Sequence, residues 1–160
     1  GRCIMATVIR GDDNWDTALK AGSMAFAARF DSSVWTALAD NTIVSFNNDS
    51  TGDSFDDGSN YSTSTYKYTA PTTGVYMFWM SIYTSLNDVS NGFTFLKNAA
   101  QISFTNSSGN QLVYTADAGD KALNGTIVIP LSTGDTIAVQ TTTPSDVHTG
   151  LSKWGGCRLS

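Results

Sequence analysis

From Tyr66 to Ser85 the chain reads YKYTAPTTGVYMFWMSIYTS, a strand, a turn and a second strand. Tyr66 and Tyr68 alternate with polar neighbours, Pro71 and Gly74 bracket a four-residue turn, and a run of aromatic and aliphatic residues follows. Successive side chains of a strand point to opposite faces. Tyr76, Phe78, Met80 and Ile82 therefore share one face, and Val75, Met77, Trp79 and Tyr83 share the other. Both faces are apolar. In an antiparallel protein one enters the core and the other needs a cover, which in so short a chain is expected to be another subunit.

Elsewhere the pattern is that of short strands separated by turns. Residues 1–23 read as a connector, with a short strand at Ile4 to Ile9 and a polar loop, GDDNWD. Residues 24–160 read as one domain. Met24 to Phe30 and Thr42 to Phe46 are strands, separated by a loop that holds Trp35, and Asn47 to Asn60 is a long Asp- and Gly-rich surface loop. Further strands are expected at Phe93 to Leu96, Gln101 to Thr105, Gln111 to Thr115, Ala122 to Leu131, Thr136 to Thr141 and His148 to Leu159. The separators are turn signals such as Asn91-Gly92, Ser108-Gly109-Asn110, Gly134-Asp135 and Pro144-Ser145-Asp146. Roughly ten such strands predict an all-β sandwich or jelly roll.

Composition supports this reading. All 14 acidic residues are Asp, and Ser, Thr, Asn and Gly are abundant while good surface helix formers are scarce. A formal net charge of -5 without Lys/Arg clusters argues against nucleic acid as a partner. No apolar window is long enough for membrane insertion, and the N-terminus lacks the blocks of a signal peptide. The chain starts at Gly1 and ends close to its last expected strand, which fits a distal head cut from a longer protein. Cys3 and Cys157 are too far apart in sequence for a zinc or redox pair; they pair if the termini meet, and otherwise remain thiols.

Five stretches in order give a family resemblance. AFAARF, YSTSTYKYTAPTTGVYMF, FTFLKNAAQI, IVIPLSTGDTIAV and HTGLSKWGGCRL together resemble the globular head family of complement component 1q, whose fold is shared with the tumour necrosis factor ligands. The match spans Met24 to Leu159, with Trp154 where Phe is usual and Cys157 in place of an ordinary hydrophobic residue. The resemblance implies a ten-stranded jelly roll, assembling as a homotrimer with the signature strand in the inner sheet. Tyr76, Phe78, Trp79, Met80 and Trp154 are then residues of the trimer interface or of the core, with the assignment of each open.

Catalytic chemistry is poorly supplied. His148 is the single histidine and reads as a loop or strand-end residue; no Gly-x-Ser-x-Gly elbow, phosphate-binding loop or selected carboxylate pair is present. No enzyme and no cofactor are expected. Asp49, Asp53, Asp56 and Asp57, with Gly52 and Gly58, are the candidate calcium ligands, because calcium favours several carboxylate oxygens on a flexible loop; the alternative is a solvated loop whose Asp residues form turns. Trp15 and Trp35, in polar loops, are the candidates for stacking on a sugar. Arg10-Gly11-Asp12 is too short a match to carry adhesion, and Asn48, Asn60, Asn106 and Asn124 begin sequons that matter only in a secreted eukaryotic protein. The expectation is a non-enzymatic trimeric head on a viral or phage tail fibre, exposed on the virion surface and binding a host glycan or receptor. A structural trimerisation cap and a secreted complement 1q-like lectin are the alternatives.

Overall fold

The computed structural model describes residues 24–50, 52, 54–85, 91–102, 112–115 and 120–160. The connector, with Trp15, Cys3 and the strand expected at Ile4 to Ile9, lies outside them, as does Asp53. The described strands are β1 (Phe26–Arg29), β2 (Trp35–Leu38), β3 (Phe55–Asp56), β4 (Tyr61–Ser62), β5 (Lys67–Thr69), β6 (Gly74–Ser85), β7 (Asn91–Lys97), β8 (Ala100–Gln101), β9 (Val113–Thr115), β10 (Lys121–Leu131), β11 (Thr136–Thr141), β12 (Ser145–His148) and β13 (Lys153–Arg158). Of these thirteen, β3, β4 and β8 have two residues each, leaving ten of three residues or more.

Two antiparallel sheets face each other. The first has seven strands in the order β2-β12-β6-β13-β1-β3, with β10 on the free edge of β6; the second has six, β4-β5-β11-β7-β8, with β9 also on β7. Strand β6 is the spine of the first sheet. One of its edges pairs with β10 from Gly74 to Thr84, and the other pairs with β13 and then β12.

The core forms because both sheets send aromatic residues inward. Phe26 stacks on Tyr61 and Tyr68, with centroids 5.2 and 4.8 Å apart, and meets the edge of Trp154 at 4.8 Å. Phe78, Phe93 and Phe95 complete the layer, all fully buried. Each such side chain stabilises by roughly 1.5–3 kcal/mol, and the stacked and edge-on geometries add to that. The buried phenols keep partners: Tyr61 donates to the Phe46 carbonyl, Tyr68 to that of Met24 and Tyr76 to that of Thr72.

Several sequence expectations shift. Trp35 belongs to a strand rather than a loop, because β2 pairs with β12 from Trp35↔His148 to Leu38↔Ser145. Pro144-Ser145-Asp146, read as a turn, mostly enters β12, and the long strand expected at His148 to Leu159 is broken by a 3₁₀ turn at Thr149–Leu151. Thr149 explains the break: its buried hydroxyl donates to Val34 and Ser32 carbonyls and accepts from the Val34 amide, holding the chain off the sheet line. Asn91-Gly92, a turn signal in sequence, opens β7. Thr42 to Phe46 makes one isolated bridge, Ile43↔Gln140, rather than a strand.

Candidate functional site

The register of the first sheet settles which face of β6 is which. Tyr76, Phe78, Met80 and Ile82 are at most 1% exposed and fill the sandwich, together with Trp154 of β13. Trp79 is on the opposite, outward face with Val75, Met77 and Tyr83, all partly exposed. Of the five residues that could have been core or interface, four are therefore core and Trp79 alone faces outward.

Neighbouring strands extend this outward face. On β10, Pro130, Val128 and Thr126 stand opposite Val75, Met77 and Trp79, and Val128 is 61% exposed. On the other side Cys157 stands opposite Met77 and Gly155 opposite Trp79, followed by Ala27 and then Phe55, which is 45% exposed. The result is an apolar surface crossing β10, β6, β13, β1 and β3.

Two glycines shape β6 from opposite sides. A Cβ on Gly155 would lie 2.8 Å from the Trp79 ring, so Gly155 leaves the indole room to lie over β13. A Cβ on Gly156 would lie 2.4 Å from the Phe78 ring on the core side. Which aromatic each glycine faces depends on the β6–β13 register, a tertiary property that the WGG sequence does not carry. Val128 was more accessible: Ile127, Val128 and Ile129 repeat the two-faced apolar pattern of β6.

At the Tyr83 end the outward face becomes aromatic and polar. Trp35, Tyr83 and His148 contact one another, with centroids 5.0 Å apart for Trp35–His148, 6.0 Å for Trp35–Tyr83 and 6.2 Å for Tyr83–His148. The Tyr83 phenol donates to Asp120 Oδ2 at 3.3 Å; desolvation first, and the neighbouring carboxylate second, raise its pKa. Trp35, Ala37, Ser85 and Asp146 line a recess of about 300 Å³ beside this cluster.

The Asp-rich loop is folded differently from an open calcium loop. It returns along β1, where Arg29 and Asn48 exchange both backbone hydrogen bonds and Phe55 pairs with Ala27. Asp56 spends its carboxylate on the chain itself, accepting from the Asn60 amide at 3.1 Å and the Tyr61 amide at 2.9 Å. Desolvation raises its pKa; those two amides oppose the rise, and Asp49 and Asp57 reinforce it. Asp49, Asp56 and Asp57 border one recess of about 460 Å³, but no group of three or more acidic, His or Cys side chains is gathered tightly enough for a metal among the described residues.

No family model matches the chain, and no curated protein sequence matches it. Solved structures do. The globular domain of zebrafish complement 1qA superposes with a TM-score of 0.63 at 15% identity, covering 85% of this chain and 97% of its own. Eiger TNF from S. frugiperda gives 0.63 at 13% identity over 87% of this chain and 94% of its own, and murine APRIL gives 0.60 at 11% over 86% and 99%. With its two antiparallel sheets and this coverage, the chain has the complement 1q- and tumour-necrosis-factor-like jelly-roll fold.

Proposed function

We propose that the protein is a non-enzymatic, trimeric receptor-binding head of a viral or phage tail fibre, displayed on the virion surface and attaching to a host glycan or protein. The observation that carries the trimer is the outward face of the first sheet. Trp79, Met77, Val128 and Phe55 belong to an apolar surface that crosses a sheet whose other face already fills the core. The occupants are two further copies of the chain, as the shared fold with complement 1q and tumour necrosis factor domains supports. Beside Val128 a shallow groove of about 290 Å³, lined by Ile102, Thr126, Ile127 and Ile129, gives a neighbouring copy a surface to key into.

The sequon at Asn124 favours the viral reading over a secreted immune lectin. Asn124 stands opposite Ser81 on the outward face, where an attached glycan would block assembly. Asn48 is only 6% exposed and donates to Asp31, so its amide is not open to modification. Three copies of one weak site on a rigid head multiply avidity without a deep pocket.

Light scattering on the purified protein tests the assembly. The expected mass is three times the chain mass of 17.1 kDa. A monomeric mass would overturn the proposal.

A further inference from the structure

Opposite ends of β6 differ in what surrounds them. At the Val75 end, Leu159 donates to the Val75 carbonyl at 2.7 Å and Val75 donates to the Ser160 carbonyl at 3.2 Å. Met24, the first described residue, is at the same end, bound by the Tyr68 phenol beside Tyr76. Tyr83 lies eight residues further along the strand, roughly 26 Å away at the usual rise. The Trp35, Tyr83 and His148 cluster thus lies at the opposite end of β6 from Met24.

The composition of that pole is specific. Trp35 is 45% exposed, on a regular strand, and its ring packs against that of His148 at an interplanar angle of 88°. The Asp146 and Ser85 side chains border the same recess, and among the described residues nothing donates a hydrogen bond to the Asp146 carboxylate. An exposed indole sharing a recess with a carboxylate and a hydroxyl matches the chemistry of a sugar ring. The C–H face of the sugar stacks on the indole, and its hydroxyls donate to Asp146 and exchange hydrogen bonds with Ser85. An aromatic cage for a quaternary ammonium fits less well, because the three rings touch one another and leave no void between them.

We propose that Trp35, Asp146 and Ser85, with Tyr83 and His148 as the supporting rings, form a binding site for one uncharged saccharide ring at the Tyr83 end of β6. The site deepens the recognition-head reading and rests on it for its biological use, but its own test is independent of assembly. The recess is at the lower end of small-molecule pocket sizes, which suits one ring and a weak, avidity-dependent interaction.

The purified protein is titrated separately with the methyl glycosides of glucose, galactose, mannose and N-acetylglucosamine, and the tryptophan indole N–H resonances are followed by NMR, with mass measured in parallel. At least one glycoside is expected to shift the Trp35 indole and Asp146 amide resonances. Trp35→Ala should weaken that binding about two- to tenfold, as for loss of one stacked ring, while Trp35→Phe retains part of it. Asp146→Asn should weaken it less, and all three variants should keep the wild-type mass. The site is overturned if none of the four glycosides moves these resonances, if choline alone does, or if Trp35→Ala binds the responding glycoside as tightly as the wild type. A monomer that binds a glycoside at Trp35 would sustain the site and sink the trimer; a trimer with no response would do the reverse.

Discussion

The two faces of β6 are built from the same kinds of residue and do different work. Inward, Tyr76, Phe78, Met80 and Ile82 are sealed by the second sheet, and their energy is spent on folding. Outward, Val75, Met77, Trp79 and Tyr83 are left partly exposed, with Val128 and Phe55 beside them. Hydrophobicity alone does not separate the faces; what lies opposite each does. A large apolar residue facing a second sheet is a folding residue, whereas the same residue facing solvent on a regular sheet is available for association.

Substitutions on the two faces should therefore fail in different ways. The largest effect is expected from Phe78→Ala, which empties a fully buried site and should cost about 3–5 kcal/mol in chemical denaturation. A loss below about 1 kcal/mol would mean that this face is not the core. Gly156→Ala places a methyl group against the Phe78 ring and the Met77 carbonyl, and should cost about 1–3 kcal/mol by overpacking. Val128→Asp should change folding stability by no more than about 0.5 kcal/mol yet abolish the trimeric mass; a stable trimer carrying three buried aspartates there would remove the distinction between the faces.

The smallest predicted effect lies away from both faces. Asp135 accepts from Asn98, from the Ser132 amide and from Lys97, which hold its pKa down at about 2. Its folded-state pKa is below the unfolded value, so its stabilisation is complete above about pH 4 and is lost as pH falls through about 2. Asp135→Asn should flatten that part of the acid-denaturation profile and leave the assembly unchanged. An unaltered acid slope would show that the Asn98–Asp135–Lys97 network is not coupled to folding.

Much of the fold is legible in sequence because it depends on local periodicity. Strand β11 falls at Thr136–Thr141 as expected, and β6, β7 and β10 lie within a residue or two of their expected limits. The errors are where a tertiary contact overrides a local signal. Thr149 breaks what reads as a continuous last strand, and β2 exists because β12 pairs with it, although Trp35 sits among polar and small residues that read as loop. The site is less legible still. Trp35 is identifiable as an aromatic in polar surroundings, but Tyr83 and His148 come from distant segments and reach it only through the β2–β12–β6 order. The Asp loop shows the converse: a carboxylate that reads in sequence as a candidate ligand, Asp56, accepts from the Asn60 and Tyr61 amides.

The sequence by itself determined that this is an all-β chain and that β6 carries two apolar faces. Alternation along a strand and the propensities of Asp, Thr and the aromatics are local properties, readable one segment at a time. Only the tertiary structure decided that Trp79 faces outward while Phe78 and Trp154 face the core, and that Trp35, Tyr83 and His148 meet at one pole. A period of two sorts side chains onto two faces without saying which face the second sheet covers, and that choice is made when the sheets pack.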